Sequence, residues 1–61
     1  MDGKEYMLDN KPASARDLIE AAKELDDDYG RDGIFTTSGA AKVLRENGRS
    51  VGYNPDYKTS V

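Results

Sequence analysis

The sequence predicts an α+β fold: two helices packed on a small sheet or hairpin of short strands, in the order strand, helix, loop, helix, strand. Two segments carry apolar residues at helical spacing, Leu18, Ile19, Ala22, Leu25 and Tyr29 in the first and Ala40, Ala41, Val43 and Leu44 in the second. Two short apolar runs lie outside them, Tyr6 to Leu8 and Val51 to Tyr53, each next to turn residues. The 61 residues are expected to form one small domain over 1–61, with 58–61 as a frayed tail.

The first strand, Glu5 to Leu8, ends at the turn pair Asp9-Asn10. Pro12 has no backbone N–H and is expected to stop the chain from continuing a regular ladder. Ser14 is suited to cap the first helix, and Asp17 three residues on completes a capping box with Asp in place of Glu. The spacing predicts that helix from about Ala15 to Leu25 or a few residues beyond. Asp26, Asp27 and Asp28 then oppose the dipole at the helix C-terminus, so the helix should stop near them. Gly30 and Gly33 mark a loop, and Ile34-Phe35 is expected to re-enter the core.

Thr37 or Ser38 is expected to cap the second helix. Asn47-Gly48 should end it, with Arg45 placed in the last turn, where the dipole favours a cation. A short strand follows at Val51 to Tyr53, then a proline turn at Asn54-Pro55-Asp56.

Composition narrows the function classes. A chain of this length buries only about 60% of its unfolded surface, so its core is one shallow layer. An enclosed catalytic pocket would consume most of the large apolar side chains. There is no cysteine and no histidine, which excludes disulfides, thiolate or imidazole zinc sites and Cys or His catalysis. The lack of cysteine suits a cytoplasmic protein, the host cytoplasm if the chain is phage-encoded. No apolar run is long enough for a membrane span, and MDGKEYML does not have the pattern of a signal peptide. Residues 1–33 carry ten acids against five bases, a net of −5; residues 34–61 carry two acids against four bases, a net of +2. Neither half has the basic footprint of a nucleic-acid binder.

The stretch DDDYGRDGIFTTSG, Asp26 to Gly39, resembles a calcium-binding EF-hand loop when counted from Asp28. Asp28, Asp32, Gly33 and Thr36 then fall at positions 1, 5, 6 and 9. Position 3 is Gly30 and position 12 is Gly39, so one ligand and the bidentate carboxylate are missing. The resemblance implies a weak or degenerate calcium-binding module. The residues themselves read more simply as an acidic, solvated helix-to-helix loop, and no metal ligand and no cofactor is assigned.

Thr36 to Tyr53, TTSGAAKVLRENGRSVGY, resembles the helix-turn-helix of small excisionase- and MerR-like DNA-binding proteins in Ala40, Ala41, Leu44, Ser50 and Val51. That resemblance implies phosphate contacts from Arg45, Arg49 and Lys58. Gly52 and Pro55 would break the required recognition helix. Two tail motifs are short enough to occur by chance: the NPxY pattern at Asn54 to Tyr57, and a PDZ-type ending at Thr59 to Val61.

Over most of its length, in YMLDNKPASARDLIEAAKEL and FTTSGAAKVLRENGRSV, the chain resembles short uncharacterised proteins of phage and prophage genomes. The resemblance implies an origin and transfers no functional residue. The expected function is a non-catalytic binding or regulatory protein acting on a host protein through an acidic surface. The residues expected to meet that partner are Asp26, Asp27, Asp28, Asp32, Tyr53 and Tyr57, with no catalytic residue among them. Nucleic acid is the second candidate partner and a membrane is not expected.

Overall fold

A computed structural model of the chain describes residues 3–57. The expected tail and the PDZ-type ending lie outside these residues. The elements are β1 (Tyr6–Leu8), β2 (Lys11–Ala13), α1 (Ala15–Leu25), α2 (Thr37–Glu46) and β3 (Val51–Tyr53). The strands form one antiparallel sheet in the order β2-β1-β3, and the two helices pack on it and on each other. The α+β arrangement therefore holds, with one strand more than the sequence suggested.

That extra strand contains Pro12, which was expected to end the ladder. Asp9 and Asn10 have φ of 53° and 68°, the paired positive values of a two-residue hairpin turn. The register sets Leu8 opposite Lys11, Met7 opposite Pro12 and Tyr6 opposite Ala13. In such a hairpin the residues next to the turn exchange hydrogen bonds and the next pair does not. Pro12 thus stands where an N–H would point away from β1, on an edge strand, and its missing donor costs no ladder bond.

Helix α1 begins as its sequence requires. Ser14 Oγ accepts the Asp17 N–H at 3.2 Å, and Asp17 Oδ2 accepts the Ser14 N–H at 3.0 Å. The helix stops at Leu25, and Asp26 is its C-cap. Helix α2 is capped one residue earlier than expected, by Thr36, whose Oγ1 accepts the Gly39 N–H at 3.1 Å. The Asn47 N–H reaches back to the carbonyls of α2's last turn, and Gly48 reverses the chain at φ 80°.

The core is one layer between helices and sheet. Leu18 and Leu44 are fully buried at its centre, with Ala13, Ala22 and Ala40 around them. Burying each leucine contributes roughly 1.5–3 kcal/mol. Tyr6, Leu8 and Val51 cover the cluster from the sheet, and Ile19, Tyr29 and Val43 from the helical side. Side chains alternate along a strand, so Met7, Pro12 and Gly52 lie on the opposite face of the sheet.

Ile34 and Phe35 do not enter this core: they are 61% and 44% exposed. Tyr29 takes the place at the helix ends instead. Its ring packs on the core cluster, and its hydroxyl donates to the Thr36 carbonyl at 2.7 Å. Phe35 then packs edge-on against the outside of the Tyr29 ring, 5.7 Å between centroids.

Candidate partner-binding surface

Helix α2 and strand β3 diverge to leave an open groove of about 470 Å³. Thr37, Ala41 and Arg45 recur every four residues, so they share one face of α2 and form the helical wall. Val51, Gly52 and Tyr53 form the strand wall, and Tyr6 and Phe35 also line the groove. Tyr53 is the most exposed large apolar side chain described, at 80%, and its ring lies 5.5 Å from that of its cross-strand neighbour Tyr6. The two rings are tilted by 30° to each other and held together by the strand pairing.

Among the described residues, Arg45 is the one charged residue lining the groove. Its Nη2 donates to the Val51 carbonyl at 2.9 Å, which ties the last turn of α2 to the strand. Among the described residues no carboxylate pairs with it.

A second concavity of about 330 Å³ lies around Leu8, Pro12, Asp9 and Arg49. Asp9, Arg49 and Asp17 along it already have partners. Arg49 Nε donates to Asp9 Oδ2 at 2.7 Å, and this bond is the main cause of a lowered Asp9 pKa and a raised Arg49 pKa. Asp17, at its margin, is also lowered, first by the Ser14 N–H and then by the Lys4 ammonium.

The six residues expected to meet a partner are spread over three places. Asp26, Asp27, Asp28 and Asp32 lie on the loop between the helices. Asp26 accepts the Asp28 N–H at 2.9 Å and Asp32 accepts the Ile34 N–H at 3.1 Å, so both carboxylates shape the loop as Asx turns. Asp28 lies 3.5 Å from Arg31 in an exposed pair, worth little in water. Asp27 is exposed. Among the described residues no three Asp, Glu, His or Cys side chains come close enough to share a metal ion. Tyr53 is in the groove. Tyr57 is not: it follows the Asn54 turn, in which the Asn54 carbonyl accepts its N–H at 3.2 Å, and its ring lies on Gly3.

Sequence reasoning missed the rest of the groove. Phe35 was assigned to the core, and Arg45 to the helix dipole and, under the helix-turn-helix resemblance, to a phosphate. The signal available was the Thr37, Ala41, Arg45 spacing, which is weakly apolar and therefore easy to read as plain helix surface.

Compared with protein-family models, with curated proteins and with solved structures, the chain matches none of them. No described helix is long and apolar enough to cross a membrane.

Proposed function

We propose that the chain is a non-catalytic binding protein that acts on a protein partner, consistent with a regulatory role in a host cell if it is phage-derived. The observation that carries this reading is the exposed Tyr53 ring, backed by Tyr6 and set in the α2–β3 groove. Aromatic side chains held rigid at a surface are the commonest anchors of protein interfaces. The neighbouring loop supports the same reading. Asp26, Asp27, Asp28 and Asp32 give it a negative field suited to steering a basic partner. That loop runs into Phe35, which lines the groove, so the acids and the aromatics can serve one interface. The DNA-binding alternative draws no support from Val51–Tyr53, which form a strand where a recognition helix would be needed.

The test is affinity capture with the immobilised chain, in parallel with Tyr53→Ser and with the fourfold Asp→Asn variant at 26, 27, 28 and 32. A protein held by the wild type, weakened by Tyr53→Ser and made slower to associate by the fourfold variant, is the expected result. Retention of the same proteins by all three baits would contradict the reading.

A further inference from the structure

We infer that the outer edge of β3 accepts an extended peptide strand in the α2–β3 groove, with a carboxylate of that peptide set against Arg45. The inference rests on the protein-binding reading above and specifies its chemistry.

The backbone of β3 carries the argument. Asp9 N–H donates to the Ser50 carbonyl and Asn54 N–H donates to the Glu5 carbonyl, both at 2.9 Å. Antiparallel bonding alternates, and Met7 is opposite Gly52. Ser50, Gly52 and Asn54 therefore face β1, while Val51 and Tyr53 turn their N–H and C=O groups outward. On that side Arg45 meets the Val51 carbonyl, and no described residue meets the Val51 N–H, the Tyr53 N–H or the Tyr53 carbonyl. An edge of this kind is a template for one more strand. Two residues of strand span about 7 Å, enough to fix a peptide of a few residues.

The walls say what that peptide carries. Ala41 is small, which leaves room between helix and strand for an apolar side chain beside Tyr53 and Phe35. Arg45 gives one N–H to Val51 and keeps its other donors, with no described carboxylate on them. A bound strand therefore gains most from an acid at that end, either a side chain or a free C-terminus. A second copy of this chain is the poorer occupant. Its own edge offers Val51, Gly52 and Tyr53, none of which carries an acid for Arg45.

The experiment is titration of the isotope-labelled full chain with short Thr/Val peptides, followed by amide shifts. One peptide has a blocked end and an Asp, one has no Asp and a free C-terminus, and one is neutral at both places. Shifts centred on Val51, Tyr53 and the Thr37–Arg45 face are expected, with either acidic peptide binding roughly tenfold tighter than the neutral one. The stronger of the two acidic peptides identifies the source of the carboxylate. Arg45→Gln should abolish that preference. Methylating one alternate set of peptide nitrogens should abolish binding, and methylating the other set should not. The proposal is overturned by any of three results: no shift on the β3 edge at millimolar peptide, equal binding of neutral and acidic peptides, or edge shifts that follow protein concentration alone and so report self-pairing. Failure of all the peptides while a captured protein still depends on Tyr53 would remove strand addition and leave the protein-binding reading intact.

Discussion

Asp9 and Arg49 are forty residues apart in sequence and joined by a 2.7 Å hydrogen bond from Nε to Oδ2. The same carboxylate accepts the Ser50 N–H through its other oxygen at 3.3 Å. One aspartate thus fixes the β1–β2 turn to the connection that feeds β3. A carboxylate whose folded pKa is depressed stabilises the fold above its unfolded pKa, and the contribution is lost as pH falls through the folded value. Asp9 and Asp17 are both lowered from 3.8, so stability should decline as pH falls below that value. Asn tolerates the positive φ at position 9, so Asp9→Asn removes the charge and keeps the turn. Urea unfolding should find the variant less stable than wild type at neutral pH and nearly equal to it in strong acid. An undiminished difference in acid would assign the loss to the turn instead of the ion pair.

The hairpin turn predicts two different effects at one position. Asn10 has φ 68°. Asn10→Gly should be neutral or stabilising, because glycine takes that conformation freely. Asn10→Val places a branched side chain in the left-handed region and should cost about 1–2 kcal/mol. Thermal melts with Asn10→Gly at or above the wild type and Asn10→Val below it would bear this out. Coincident melts would show that the turn does not limit stability.

Among the described residues, Leu18 and Leu44 are the two large side chains fully buried in the core. Truncating a buried leucine to alanine costs about 2–5 kcal/mol, and a domain this small holds only about 3–5 kcal/mol in all. Leu18→Ala and Leu44→Ala should each unfold much of the population at room temperature, visible as collapsed amide dispersion. A well-dispersed spectrum from both would contradict a single shared core.

Gly30 supports Phe35 from behind. It has φ 80°, and a Cβ there would collide with the Phe35 ring. The Lys23 ammonium also lies over that ring, 5.2 Å from its centroid. Gly30→Ala should push Phe35 off Tyr29 and open that part of the groove. Loss of contacts between the two rings in a nuclear Overhauser spectrum checks this, and their survival would contradict the packing.

The secure parts of the fold were those with a local cause. The Ser14 and Asp17 capping box, the end of α1 at its acidic run and the Asn47-Gly48 stop each depend on neighbours within a turn, so the sequence displays them directly. The departures were decided at longer range. Whether Pro12 breaks a strand depends on which side β1 lies, and that follows from the register set by Asp9-Asn10. Whether Phe35 is core depends on Tyr29 arriving first, held by the Thr36 carbonyl seven residues on. The groove was illegible for the same reason. Tyr53 was expected to meet a partner, but the neighbours that make it a site are Tyr6, Phe35 and Arg45. They are gathered only when β3 pairs with β1 beside α2.

Amide hydrogen exchange reads the open β3 edge beside Tyr53 residue by residue. Met7, Asp9, Gly52 and Asn54 donate or are placed to donate within the β1–β3 ladder and should be protected up to the limit set by global unfolding. Val51 and Tyr53 face outward and should exchange near the rate of an unstructured chain. Alternation of fast, slow and fast exchange along Val51, Gly52 and Tyr53 is expected. Protection of Val51 and Tyr53 equal to that of Gly52 would contradict it, because the edge would then already be covered.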